Sequence, residues 1–198
     1  MDNDIETKTE VTVIKDHFAE IRRFSFTNNG LQDVDLEITS YGEVVMAPKE
    51  VDENHRVFNS MKIISEYDRE HQALLFSRFD LNGHDCRNYV VHKLFVDNED
   101  SGVLDESLRT DHSPSTLSSS VTNLQDPTMA KYETSRMKFL GRGGSIRHAH
   151  VIENQRTLSN TEGTTLDPIM SMRRRLHVPA GKTVYAFLII GFAKSREQ

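Results

Sequence analysis

Asp33-Val34-Asp35-Leu36-Glu37-Ile38-Thr39 alternates polar and apolar side chains without a break. A strand sends successive side chains to opposite faces, so Val34, Leu36 and Ile38 share one face and Asp33, Asp35, Glu37 and Thr39 the other. A helix would scatter the same apolar residues around its circumference. One wet face and one dry face is the ordinary state of an antiparallel sheet. Just upstream, Glu20 to Thr27 alternates as well, with Phe24 and Phe26 on one side. Asn28-Asn29-Gly30 stands between the two runs, and Asn and Gly accept the positive φ of a tight turn. Residues 19 to 40 therefore read as a β-hairpin.

The pattern continues in both directions. Met61 to Glu66 and Ala73 to Phe79 read as strands joined by the polar turn at Tyr67-Asp68-Arg69-Glu70, and Asn88 to Val96 as a strand entered through Asn82-Gly83. Tyr132 to Leu140 and Met170 to Val178 follow. A last hairpin turns at Pro179-Ala180-Gly181 into Thr183 to Gly191, where proline sets φ and glycine supplies the corner. Eight or more short strands separated by turn signals predict a two-sheet sandwich or a barrel, an all-β antiparallel fold. Helical patterns are scarce, with one or two short turns expected near Thr157 to Thr165. The segment 98–128, acidic and then Ser/Thr-rich around Ser113-Pro114, lacks the apolar surface that offsets the entropy of ordering. It reads as a long flexible loop inserted into one domain spanning 1–198.

The 198 residues suffice for one domain with a sizeable core. Thirty acidic against 24 basic residues leave a net charge of −6, which opposes a dedicated nucleic-acid binder. No apolar run approaches the roughly 20 residues of a membrane helix, so no direct membrane insertion is expected. The acidic opening MDNDIETKTE differs from a secretory signal. Cys86 is the only cysteine, which excludes an internal disulfide and a thiolate zinc cluster. These features predict a reducing, cytoplasmic setting.

The cluster Gly141-Arg142-Gly143-Gly144-Ser145 is the most distinctive local feature. It lacks the Gly-Lys-Ser/Thr ending of a phosphate-cradling loop, and Ile146 stands where the dinucleotide fingerprint needs glycine. Two readings stay open: a tight structural loop, or a sugar- or anion-contacting loop that carries Arg142. His148 and His150 share a face on a strand, yet no third ligand is identifiable by spacing, so they read as surface histidines with no metal or cofactor. Cys86 with His84 and Asp85 is not a catalytic set, because neighbouring residues on a strand face opposite ways. In Arg173-Arg174-Arg175 the same alternation breaks any cationic stripe and predicts a solvated face with one structural ion pair.

Several stretches carry a resemblance. They are Ile21-Arg22-Arg23 through Asn28, Glu37 to Val45, Tyr132-Glu133-Thr134-Ser135-Arg136, Phe139 to Gly143, and Leu166 to Arg175. In this order and spacing the chain resembles the sandwich domain of glycoside hydrolase family 94, formerly glycosyltransferase family 36, as it occurs in cyclic β-1,2-glucan synthases and β-1,2-oligoglucan phosphorylases. Family members often carry Asp where Ser135 stands, and an arginine-containing continuation where Gly144-Ser145 stand. The resemblance implies a galactose-mutarotase-like supersandwich packed against a separate (α/α) toroid that supplies the catalytic acid and the phosphate-binding groups. It implies a chain that is not active alone, with no catalytic residue of its own, no cofactor, a β-glucan oligosaccharide handled by the full enzyme, and dimer contacts. The substrate-binding residues it points to are Arg142, Arg136 and Gly143, since an arginine fork can hold two sugar hydroxyls at once. An independent carbohydrate-binding module and a mutarotase-like epimerase are the alternatives. With no tryptophan in the chain, Tyr41, Tyr67, Tyr89 and Tyr132 are the stacking candidates, and core or edge packing is the plainer expectation for each.

Overall fold

The computed structural model describes residues 4–79, 88–97 and 130–196. The expected loop at 98–128, the Asn82-Gly83 turn and the Cys86 group lie outside them. Eleven strands and three helices run along the described residues: β1 (Ile5–Ile14), β2 (Ala19–Asn28), β3 (Val34–Thr39), β4 (Gly42–Glu43), α1 (Lys49–Ser60), β5 (Ile63–Asp68), β6 (Ala73–Arg78), β7 (Tyr89–Asp97), β8 (Lys131–Ser135), α2 (Arg136–Leu140), α3 (His150–Glu153), β9 (Gly163–Thr164), β10 (Pro168–Val178) and β11 (Thr183–Ala193). A seven-stranded sheet has the order β1-β2-β11-β7-β6-β5-β9. A four-stranded sheet centres on β10, with β3 and β4 along one edge and β8 along the other. Every pairing is antiparallel.

Strand alternation builds three layers. On β10, Met170, Met172, Leu176 and Val178 turn to the large sheet, while Ile169, Ser171 and Arg173 turn away from it. Met172 packs with Leu74, Phe76, Leu94, Tyr67, Tyr132 and Leu188 in the core between the sheets. Ile169 enters a second cluster with Phe139, Leu140, Ala149, Val151 and Leu158, against which Tyr41 packs. The α2–α3 segment thus caps the outer face of the small sheet. Each buried Leu, Phe or Met side chain contributes about 2 kcal/mol relative to exposure, so both clusters hold the small sheet in place.

The all-β two-sheet fold is as the alternation predicts, but several pairings are not. Residues 19 to 40 do not form a hairpin: β2 pairs with β1 and β11, and β3 pairs with β10 in the other sheet. The Asn-Asn-Gly turn instead carries the chain across the sandwich. Buried Asn28 ties that crossing, donating from Nδ2 to Gln32 O (2.7 Å) and Val178 O (3.0 Å) while its Oδ1 accepts from Gly30 N. Pro179-Ala180-Gly181 is a second crossing rather than a hairpin, because β10 and β11 belong to different sheets. The strand expected over Tyr132 to Leu140 stops at Ser135 and turns into α2. The helical turns expected near Thr157 to Thr165 give way to the short strand β9, and helix appears instead at α1, α2 and α3. Helix α1 buries only Asn59 and Ser60, and its few apolar residues, Val51, Val57 and Phe58, stay exposed. Strand β1 lay outside the expected set; most of its residues, on both faces, are exposed.

Candidate functional site

The glycine cluster sits where α2 must end abruptly. Phe139 and Leu140 are driven into the second core cluster, so the chain has to reverse at once. Gly141 and Gly143 take positive φ of 81° and 73°, the region that favours glycine. A Cβ on Gly144 would stand 1.9 Å from Leu140 O, so a side chain is barred there as well. The Gly141 amide closes the helix on Met137 O at 2.9 Å. All three glycines therefore have structural reasons. The turn raises Arg142 into solvent, and among the described residues neither Arg142 nor Arg147 has a side-chain partner.

Arg136 stands at the other end of α2, inside an ionic cluster. Its Nη1 donates to Asp167 Oδ2 at 3.3 Å, and its backbone amide to Asp167 O at 3.1 Å. Its Nε meets Glu43 Oε1 at 3.5 Å, an ion contact without hydrogen-bond geometry. Glu43 also accepts from Arg56 at 2.7 Å. Tyr41 lies against Arg136 and packs on the Phe139 ring, tilted by 40° with centroids 5.2 Å apart. The Tyr41 hydrogen bond and the surrounding carboxylates hold the Arg136 guanidinium above its ordinary range, and burial raises the Tyr41 phenol. Both carboxylates thus face guanidinium groups, whereas a general acid must point a proton at a leaving oxygen. The cluster joins β4, α2 and the entry to β10, and it fixes the base of the glycine turn that carries Arg142.

The other sequence candidates resolve separately. His148 sits in an exposed turn with Glu153 Oε1 at 2.7 Å from its Nδ1, while His150 opens α3 and meets Asn154. They share no strand face, and among the described residues no group of three potential metal ligands converges. In the arginine run the alternation holds. Arg173 and Arg175 contact Glu37 on the outer face, and Arg174 points inward to Leu94 O. The expected solvated face is partly wrong, because Arg173 is buried and donates to Thr39 Oγ1 and Arg156 O, each at 2.8 Å. Tyr67 and Tyr132 stack on each other at 4.3 Å inside the core rather than presenting a platform. Tyr41 packs against the second cluster and Tyr89 is half-buried in β7.

Two buried polar groups escaped sequence reading. Ser40 and His92 lie 52 residues apart in sequence yet meet between the sheets, with Oγ and Nε2 at 2.8 Å. Ser40 Oγ also donates to Met172 O at 3.2 Å and accepts from Met172 N at 3.0 Å. That leaves Nε2 to carry the imidazole proton and Nδ1 as a bare, unpartnered acceptor. Burial pushes the imidazole down to about 4. The pair resembles a nucleophile and base, but it is sealed in the core with no carboxylate on Nδ1. The second group is Glu133, whose buried carboxylate accepts from the amides of Thr134 (3.0 Å) and Ser135 (2.9 Å) and from Ser159. It binds the 158–162 segment to β8. Next to it, Tyr132 donates to Glu162, and burial together with that bond raises the phenol.

Comparison with known proteins accords with this architecture. The family model described as the glycosyl hydrolase 94 supersandwich domain matches residues 1–198. The chain is 34% identical over 194 residues to the cyclic beta-(1,2)-glucan synthase NdvB of Rhizobium meliloti (strain 1021). That match takes in 98% of this chain and 6% of the synthase, so the chain spans a small fraction of its relative's length.

Proposed function

Because the chain belongs to the glycosyl hydrolase 94 supersandwich-domain family, we propose that it is the non-catalytic sandwich of a β-1,2-glucan synthase or glycoside phosphorylase type of enzyme. In this reading it packs against a separate (α/α) catalytic domain and assists it in carbohydrate metabolism, in the cytoplasm. The observation that carries the reading is the engagement of the site's acids: Glu43 and Asp167 face Arg136 and Arg56, and Glu133 is enclosed by its amide donors. Such groups hold a scaffold together; cleavage of a glycosidic bond needs two carboxyl groups free to flank it.

Arg142 is the residue assigned to glucan. The Gly143 φ and the Arg136 cluster keep its loop in one shape, and an exposed guanidinium without a partner offers a fork to two sugar hydroxyls. The same free fork favours the second reading, an independent glucan-binding module. Incubation of the chain with β-1,2-glucan and inorganic phosphate is expected to release no glucose 1-phosphate; phosphorolysis by this polypeptide would overturn the proposal. Calorimetric titration with β-1,2-oligoglucans separates the two readings. Binding by the isolated chain that Arg142→Ala abolishes makes it a module, and a flat titration leaves the accessory role.

A further inference from the structure

Asn29-Gly30 lies in the first crossing between the sheets, where Asn29 is exposed. An asparagine followed by glycine is prone to self-modification, because glycine has no side chain to shield its amide nitrogen from the asparagine side chain. In the fold that nitrogen is engaged. The Gly30 amide donates to Asn28 Oδ1 at 2.9 Å, and the Asn29 amide donates to Asp4 O at 2.9 Å. Asn28 is itself fixed from every side. It is 1% exposed, and its Nδ2 donates to Gln32 O and Val178 O. Its amide donates to Lys182 O at 3.0 Å, and its carbonyl accepts from Gly181 N at 2.9 Å. One side chain thus binds both crossings and the Gly30 amide together. Space demands the glycine, since a Cβ on Gly30 would stand 3.1 Å from Asn28 Oδ1, inside ordinary contact distance. The fold therefore requires the very dipeptide that is chemically labile.

We propose that Asn29 is a self-modification site that deamidates when this crossing opens, and that the Asn28 side chain is its gate. In the open form the Gly30 nitrogen gives its proton to a solvent base and attacks Asn29 Cγ. The new N–C bond closes a cyclic imide and expels the side-chain nitrogen, which takes up a proton and leaves as ammonia. Water then opens the imide. Cleavage at Cγ leaves aspartate, and cleavage at the main-chain carbonyl leaves an isoaspartyl link. One water is consumed, one ammonia is released, and nothing is oxidised or reduced. In the closed form the Gly30 proton is held by Asn28 Oδ1. Reaching Cγ needs rotation about the Asn29 Cα–C bond, which pulls Gly30 away from that acceptor. An isoaspartyl link adds a methylene to the main chain between Asn28 and Gly30, so the original contact cannot reform. Modification is thus a one-way loosening of the residue that ties both crossings. The proposal stands on these contacts and does not rest on the glucan reading.

The test incubates the chain in mildly alkaline buffer, either folded or unfolded in urea, and follows conversion by tryptic digestion and mass spectrometry. The peptide from Phe24 to Lys49 contains no asparagine besides Asn28 and Asn29, so its conversion is read apart from that of Asn82-Gly83. Conversion at Asn29 is expected to be at least about tenfold slower in the folded chain, because only the open fraction reacts. Hydrogen exchange at the Gly30 amide is expected to be slowed by at least about tenfold as well. Asn28→Ala removes the acceptor and is expected to bring the folded-state conversion to within about threefold of the unfolded rate. If that variant does not fold, exchange at Gly30 in the native chain decides the matter. Equal conversion in the folded and unfolded chains, no conversion in urea, a Gly30 amide that exchanges as freely as in the unfolded chain, or a folded Asn28→Ala chain that converts as slowly as the native one would each overturn the proposal.

Discussion

Acidification from pH 7 to pH 5 is expected to weaken the folded chain through His92. In the fold its imidazole is buried between β7 and β10, opposite Leu74 on β6 and Ile190 on β11, with Ser40 as its one polar partner. Burial holds it at about 4, against an ordinary value of 6.5. Below pH 6.5 the unfolded chain takes up a proton that the folded chain refuses until about pH 4. Stability from this group is therefore complete above pH 6.5 and is lost as pH falls toward 4. Each pH unit in that window removes at most about 1.4 kcal/mol, so the loss is about 2 kcal/mol by pH 5 and about 3 kcal/mol by pH 4. His177 acts in the opposite sense, since Asp35 raises it and its contribution is lost as pH rises. Glu10 and Asp68 are held lower in the fold than their ordinary 4.5 and 3.8, so their contribution is lost as pH falls through those values, below the pH 5 of the test. The assay is urea unfolding at pH 7 and pH 5 for the native chain and for His92→Gln, which keeps a donor toward Ser40 but does not titrate. The variant is expected to lose about 2 kcal/mol less than the native chain between the two pH values. Parallel losses, within about 0.5 kcal/mol, would refute the assignment.

The glycine turn and the buried carboxylate offer two further tests. Gly144→Ala drives a methyl group into Leu140 O and is expected to cost more than about 3 kcal/mol. Gly143→Ala meets open space and is expected to cost only the positive-φ penalty of about 1 to 2 kcal/mol; equal melting temperatures for the two variants would contradict this. Glu133→Ala strands the Thr134 and Ser135 amides and is expected to cost about 3 kcal/mol. Faster hydrogen exchange at Thr134, Ser135 and Ser159 is the readout, and unchanged protection there would count against the role given to the carboxylate.

The candidate site was half legible. Arg142 on a glycine-rich loop is a local feature, and its exposure follows from the turn that the glycines make. The role of Arg136 was not local, since Glu43 and Asp167 reach it from β4 and from the entry to β10. The Ser40–His92 contact left no sequence signal, because nothing in either neighbourhood records a partner 52 residues away. Glu133 looked like one acid among thirty; only the fold shows its carboxylate turned inward to three amides.

By itself the sequence determined that this chain makes antiparallel strands, which side chains share a face, and where the chain turns. Alternation and turn chemistry are local properties, and Val34-Leu36-Ile38 would be co-facial in any sheet. Tertiary structure alone decided which strands are neighbours. Asn28-Asn29-Gly30 and Pro179-Ala180-Gly181 turn the chain as their residues require, yet both carry it from one sheet to the other instead of folding it back. A period of two is indifferent to the identity of the partner strand. That choice follows from burying all the apolar faces together, with Met172 of β10 set against Phe76 and Leu94 of the opposing sheet and with Asn28 bonding both ends of the crossing.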